Sequence, residues 1–140
     1  NIQDEITLPE ISEIVSEYAS IPEVRAKLVN LQRKMSEKYD VIMDGRDIGT
    51  VVLKNSKFKF FLTATPEERA RRRFIELVNR GLDVSYDKLL EDIIKRDYID
   101  SNREVDPLRK ADDAIEIDSS NYNINEVTEI ICNFIENALQ

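Results

Sequence analysis

The stretch Phe58-Lys59-Phe60-Phe61-Leu62-Thr63-Ala64-Thr65-Pro66-Glu67-Glu68 is an apolar strand that runs directly into a helix start. Phe58–Thr63 is short, aromatic and closed by a threonine, which suits a strand. Thr65 is placed to cap the helix after it. Pro66 takes the first helical position, where its missing N–H costs nothing, and Glu68 lies three residues beyond the cap. That helix carries Arg69, Arg71, Arg72 and Arg73 and stops near Arg80-Gly81, where glycine can serve as the C-cap. A strand leading at once into a helix is the building unit of α/β domains with parallel sheets.

The same alternation runs through the rest of the chain. Val41-Ile42-Met43 is apolar without alternation and ends in Asp44-Gly45, so it reads as a buried parallel strand. Ala114-Ile115-Glu116-Ile117-Asp118 reads as a further strand. Thr7 with Glu10 predicts a capping box for a helix bearing Ile11, Ile14, Val15 and Tyr18. Ser20 with Glu23 predicts a second box, opening a helix with Val24, Leu28, Leu31 and Met35 on one face. After a loop at Leu82–Ser85, a long helix is expected from about Tyr86 to Arg103, with Pro107 barring continuation. Asn123 with Glu126 caps a last helix whose Val127, Ile131, Phe134 and Ala138 face one way.

The chain has 140 residues, the size of one domain, with 34% charged and 41% hydrophobic residues, the composition of a globular protein rather than a disordered one. No apolar run approaches the roughly 20 residues of a membrane-spanning helix. A net charge of −8 argues against nonspecific binding to nucleic acid or anionic membranes. The lone Cys132 rules out an intramolecular disulfide, fits a reducing, cytoplasmic setting and is expected to pack as a small hydrophobe. There is no histidine, which removes imidazole general bases, Ser-His-Asp and Cys-His schemes and imidazole-dependent zinc sites. Chemistry is left to arginine, carboxylates and backbone.

Three places concentrate those groups. Asp44-Gly45-Arg46-Asp47-Ile48-Gly49-Thr50 comes after a strand, where open α/β sheets bind ligands and where P-loop enzymes hold the acid that orients magnesium. By itself the segment reads equally as a turn with a surface Arg–Asp pair. Arg96, Asp100 and Arg103 share one helix face that is apolar further back, at Leu89 and Ile93. Such a face suits an anion pocket, and equally a solvated ion-pair ladder. Arg69, Arg71, Arg72 and Arg73 cannot all share one face, so some must pair with Glu67, Glu68 and Glu76.

Together these segments resemble the bacterial cytidylate kinases, nucleoside monophosphate kinases that convert CMP and dCMP to their diphosphates with ATP. The resemblance shows in A-S-I-P-E-V-R (19–25), D-G-R-D-I-G-T-V-V (44–52) and F-F-L-T-A-T-P-E-E-R-A-R-R-R (60–73). It shows again in R-D-x-x-D-S-N-R-x-x-D-P-L (96–108) and A-D-D-A-I-E-I-D (111–118). It covers nearly the whole chain. It implies a P-loop-kinase-like three-layer α/β/α fold with a parallel sheet, incomplete at the N-terminus. The family's G-x-x-x-x-G-K-S/T phosphate cradle does not occur here. The non-Met start at Asn1 fits a chain that begins partway through the NMP-binding domain, with a missing N-terminal segment of the same protein.

The resemblance also implies roles. Ser16, Arg25 and Asp47 match the residues that recognise cytosine, and an ionised aspartate suits the N4 amino donor while opposing the carbonyl of uracil. Arg46 and Arg103 match the arginines that clamp the CMP phosphate. Arg96 and Asp100 match residues near the sugar and the transferring phosphate, with Asp100 on a ribose hydroxyl. Arg46, Arg96 and Arg103 are thereby the expected catalytic set. Asp44 matches the strand-end acid that holds Mg2+ through water. Arg69, Arg72 and Arg73, with Gly81, match a lid over ATP at about 69–85, residues 1–38 belong to the NMP-binding region and 39–140 to the remaining core. The expected partners are CMP or dCMP and ATP, with no nucleic acid and no membrane. The reaction is phosphoryl transfer, which this chain alone is expected not to perform without the P-loop. The alternatives are a non-catalytic cytosine-nucleotide-binding module, a truncated fragment, or a kinase of the UMP/CMP or thymidylate type.

Overall fold

The computed structural model describes residues 9–140, with the side chains at 9, 10, 12, 13 and 16 outside that description. The expected Thr7–Glu10 capping box therefore lies outside the described residues. Two compact units are present. One takes residues up to Lys54 together with Glu91–Arg109; the other takes Asn55–Leu90 and Lys110–Gln140.

The first unit holds α1 (Pro9–Ser20) packed on α2 (Pro22–Lys38), which in turn packs on a π-helical turn at Ile48–Val52. Helix α2 begins where the sequence predicts, but by a different device. Its N-cap is Ile21 with proline in the first turn and no side-chain cap, and Ser20 Oγ instead donates to Glu17 O at 2.6 Å. Proline's preset φ starts the helix, and a serine drawn back to the preceding turn cannot also cap the next one. The apolar stripe of α2 remains largely exposed, with Leu31 at 56% and Met35 at 46%.

The strand expected at Val41–Asp44 does not form. These residues have no strand beside them among the described residues, and Ile42 is fully exposed. A strand exists only as a pairing of backbone groups, so apolar, β-branched residues without a neighbour cannot make one.

The second unit is α/β. Its sheet pairs β1 (Phe60–Thr63) and β2 (Ile115–Asp118) in parallel, running from Phe60 opposite Ile115 to Thr63 opposite Asp118. The pairing begins at the Ile115 N–H, which donates to Lys59 O at 2.9 Å. That places the start of the strand two residues later than the apolar run predicts. Helix α3 (Pro66–Asn79) comes directly after β1, with Thr65 accepting from the Glu68 N–H at 3.2 Å, as its sequence predicts. It ends in a Schellman arrangement. Gly81, at φ +79°, donates to Val78 O, and the Leu82 N–H donates to Leu77 O at 3.1 Å. Helix α4 (Tyr86–Asn102) begins in this unit and continues into the first. Helix α5 (Ile124–Leu139) carries the expected Asn123–Glu126 capping box in both directions.

Ala70, Leu77 and Ile117 form the buried core of the second unit. The Phe60 and Phe134 rings meet at 6.4 Å, and Phe74 meets Tyr86 edge-on at 6.2 Å. Buried Lys59 donates to both oxygens of Asp113, at 2.9 and 2.6 Å, which satisfies its charge. Cys132, expected to pack, is instead exposed on α5, because it lies beside the apolar stripe of that helix rather than on it. Among the described residues no helix is long and apolar enough to cross a membrane.

Candidate anion and base site

The site lies within the first unit and draws on three pieces of chain. These are the start of α2, the turn from Asp44 into the π-helical segment, and the last turns of α4 with the loop after it.

Arg25 sits in the first turn of α2, its N–H bonded to Ile21 O at 3.0 Å, and is 7% exposed. A guanidinium this buried requires acceptors on every side. Nη1 donates to Ala19 O at 3.3 Å, in the last turn of α1, where helix carbonyls lack intrahelical donors and favour a cation. Nη2 is paired with Asp47 Oδ2. Nε and Nη2 both reach Asp106 Oδ2, at 3.3 and 3.2 Å.

Asp47 is held by the turn that it opens. Its carbonyl accepts from the Val51 N–H at 2.8 Å and from the Val52 N–H at 3.3 Å, and Leu53 N–H closes on Ile48 O at 2.7 Å. Irregular π-type turns of this kind recur at functional sites. Gly45 leaves room beside it: a Cβ there would stand 2.9 Å from Ile48 Cγ1, and the Ile48 side chain would have to shift. From behind, Arg33 Nε donates to Val52 O at 3.2 Å, and Nη2 to Val51 O.

Asp100, on the inner face of α4, is 2% exposed. Arg46 Nε donates to its Oδ2 at 2.9 Å. Arg96 Nε stands 3.7 Å from the same oxygen, and Arg103 Nη1 stands 3.7 Å from Oδ1. The helical spacing of Arg96, Asp100 and Arg103 thus resolves as a partly buried cluster around Asp100 and not as a solvated ladder. Arg103 Nε donates to Asp106 O at 2.7 Å, while its Nη2 lies 4.0 Å from Asp47 Oδ1.

Arg25, Arg46, Arg96 and Arg103 face Asp47, Asp100 and Asp106 in a partly buried cluster, with Asp97 also acting on Arg96. Arg96 Nε and Arg103 Nη2 are buried without a hydrogen-bond acceptor. Burial first, and then the neighbouring Arg46, lowers the Arg96 pKa; burial and then Arg25 do the same for Arg103. Each guanidinium therefore keeps a buried donor without an acceptor. An anion with several acceptor oxygens would satisfy them together.

The structure brings together Arg25, Arg46, Asp47, Arg96, Asp100 and Arg103. Asp44 lies exposed at the head of the same turn. Ser16 belongs to α1, and its side chain lies outside the described residues. Arg69, Arg72 and Arg73 belong to the other unit. There, Arg69 Nε donates to Ala64 O at 3.1 Å, and Arg73 Nη1 to both Glu76 oxygens at 2.8 Å. Arg72 reaches Glu68 at 2.8 Å and Ser119 Oγ at 3.2 Å. Asp106 is the member to which the sequence motif at 96–108 gave no role. Its signal is the Asp106-Pro107 pair, a turn dipeptide within four residues of Arg103.

The sequence model of the cytidylate kinase family matches residues 1–137. The chain is 66% identical over 136 residues to a cytidylate kinase of Clostridium perfringens, covering 97% of this chain and 63% of that protein. It is 60% identical over 139 residues to the cytidylate kinase of Clostridium acetobutylicum, with 99% and 64% covered. Against a cytidylate kinase of Clostridium botulinum it is 52% identical over 136 residues. The chain thus spans less than two thirds of the length of the curated relatives it matches.

Proposed function

Because this chain belongs to the cytidylate kinase family, we propose that the whole protein transfers the γ-phosphoryl group of ATP to CMP or dCMP. One observation carries this reading. Two buried arginine nitrogens without acceptors, Arg96 Nε and Arg103 Nη2, stand around a carboxylate that three arginines share. A nucleotide phosphate supplies the missing acceptors, and planar guanidinium forks suit its geometry.

In this reading Arg46, Arg96 and Arg103 hold the acceptor phosphate and offset the charge that shifts between oxygens during transfer. Asp47 accepts from the cytosine amino group, while Arg25 and Ser16 donate to N3 and O2. Asp100 takes a ribose hydroxyl; its Oδ1 meets Arg103 Nη1 only at 3.7 Å and retains acceptor capacity. Residues 1–38 form part of the NMP-binding region. Arg69, Arg72 and Arg73 lie in a lid at about 69–85 that excludes water when it closes over ATP.

Asp44 is the residue that would hold Mg2+, through water. Its carboxylate is exposed, and among the described residues no group of three or more acidic, His or Cys side chains is placed to hold a metal ion. One carboxylate beside substrate phosphates fits an ion that keeps most of its waters. Bound with ATP, the ion supplies charge neutralisation on the phosphate oxygens. The lone cysteine suits a reducing compartment, and we place the reaction in the cytoplasm.

The test is calorimetric titration of the full-length protein with CMP and UMP, then an assay for CMP-dependent ADP formation. Saturable CMP binding with much weaker UMP binding is expected. Equal binding of both would sink the base assignment, and the absence of CMP-dependent ADP formation would sink the activity.

A further inference from the structure

Asp106 touches both halves of the site through two different groups. Its carboxylate Oδ2 accepts from Nε and Nη2 of Arg25, at 3.3 and 3.2 Å. Its main-chain carbonyl accepts from Arg103 Nε at 2.7 Å. The residue stands at φ +49°, the only non-glycine residue at positive φ among those described. Pro107 comes next, and the loop is tied back to α4 by the Leu108 N–H on Asp100 O at 2.7 Å. Left-handed backbone is uncommon outside glycine, and aspartate is among the side chains that tolerate it. Glycine would hold this conformation more readily. What aspartate adds at this position is the carboxylate.

The donor inventory of Arg25 shows what that carboxylate does. A guanidinium has five N–H donors. Nε is committed to Asp106, Nη2 to Asp106 and Asp47, and one Nη1 proton to Ala19 O. A single Nη1 proton is left for a ligand. The plane of the guanidinium, and hence the direction of that last donor, is set from the side opposite Ala19 by Asp106.

We infer that Asp106 is a positioning residue that aims Arg25 at the base through its carboxylate and fixes Arg103 for the phosphate through its carbonyl. The inference rests on the proposed cytosine-nucleotide reading and deepens it. The two arms are separable, because a side-chain change removes only the first.

The experiment compares wild type, Asp106→Gly and Asp106→Asn in the full-length protein. Affinities are measured for CMP, UMP and cytidine. Asp106→Gly keeps the carbonyl and relieves the backbone but takes one of two carboxylates from buried Arg25, so its thermal stability should fall only modestly. Its preference for CMP over UMP should fall by roughly tenfold, the scale of one charge-assisted hydrogen bond. Its preference for CMP over cytidine, which reports the phosphate arm, should stay within about twofold of wild type. Asp106→Asn should fall between the two.

An unchanged CMP-over-UMP preference in both variants overturns the inference. So does a parallel loss of both preferences together with stability, since Asp106 would then only support the loop. If wild type itself shows no preference for CMP over UMP, the cytosine reading fails first and this inference fails with it. That outcome is distinct from the others, because it appears before any substitution is made.

Discussion

Arg46 Nε donates to Asp100 Oδ2 at 2.9 Å, joining the turn after α2 to a helix 54 residues further along the chain. The carboxylate that receives it is 2% exposed, and two more guanidiniums stand within 3.7 Å. Asp100 thus holds the arginines together while leaving two of their nitrogens unsatisfied. The site is organised before a ligand arrives and remains short of acceptors.

Removing that carboxylate should make the shortage severe. Asp100→Ala leaves three guanidiniums without their shared counter-charge, and breaking a buried pair from one side costs about 3 kcal/mol. The denaturation midpoint should drop accordingly. Added inorganic phosphate should restore stability to the variant more than it raises that of wild type. A variant with an unchanged midpoint would show that the cluster is hydrated and adds little.

Arg103→Ala deletes a guanidinium whose side chain is 6% exposed and whose Nη2 has no acceptor. One charge-assisted phosphate bond contributes about 1.5–3 kcal/mol, so CMP affinity should fall by one to two orders of magnitude. Cytidine, which lacks the phosphate, should bind the variant about as well as wild type. Titration with both ligands separates the two effects, and an equal loss for cytidine would remove Arg103 from the phosphate site.

Asp47→Ala removes the acceptor assigned to the cytosine amine. The kcat/KM ratio for CMP over UMP, measured in the full-length protein, should fall by at least roughly tenfold, since polar pockets reject mismatched analogues through unpaired groups. A preserved ratio would move base selection elsewhere.

Acid should loosen the start of α3 through Glu68. Hydrogen bonds from Arg71 and then Arg72 lower its pKa from 4.5 to about 2. A carboxylate depressed in the folded state stabilises fully above its unfolded pKa and loses that contribution as pH falls through the folded value. The loss therefore runs from about pH 4.5 down to about pH 2, and Glu68→Gln should flatten the stability profile over that window. Because both arginine partners are exposed, the effect should shrink with added salt. Stability curves for both proteins at several pH values provide the comparison.

Gly81→Ala tests the end of the same helix. A Cβ at Gly81 meets nothing within 4 Å, so its cost comes from the φ of +79° alone. A left-handed alanine costs about 1–2 kcal/mol, whereas asparagine, which tolerates that region, should cost less. Equal melting temperatures for the Ala and Asn variants would refute the Schellman role.

Local devices were legible in the sequence wherever the information was itself local. Thr65-Pro66 and Glu68 marked the start of α3, Gly81 its end, and Asn123 with Glu126 the start of α5. Each acts within a few residues of chain through backbone groups that it satisfies directly. Ser20–Glu23 failed as a cap because the serine had a competing acceptor one turn back, in Glu17 O. Val41–Met43 failed as a strand because strand formation depends on a neighbour that composition does not supply. The apolar stripe of α2 was correctly spaced, but periodicity identifies a face and not what covers it.

The sequence by itself determined which residues could carry chemistry. With no histidine and one cysteine, four arginines and their aspartates were the candidates for this site, and the ordered motifs carried the family. Only the tertiary structure decided which of these groups meet. It drew Arg25 onto Asp47 and Asp106, and Arg46 onto Asp100, from segments far apart in the chain, and it added Asp106, which no spacing rule had singled out. It also turned the Arg96–Asp100–Arg103 stripe from one of two readings into a partly buried cluster. The reason is physical. Helical spacing fixes which side chains share a face, but burial and the count of acceptors around each guanidinium depend on chain that folds back from elsewhere.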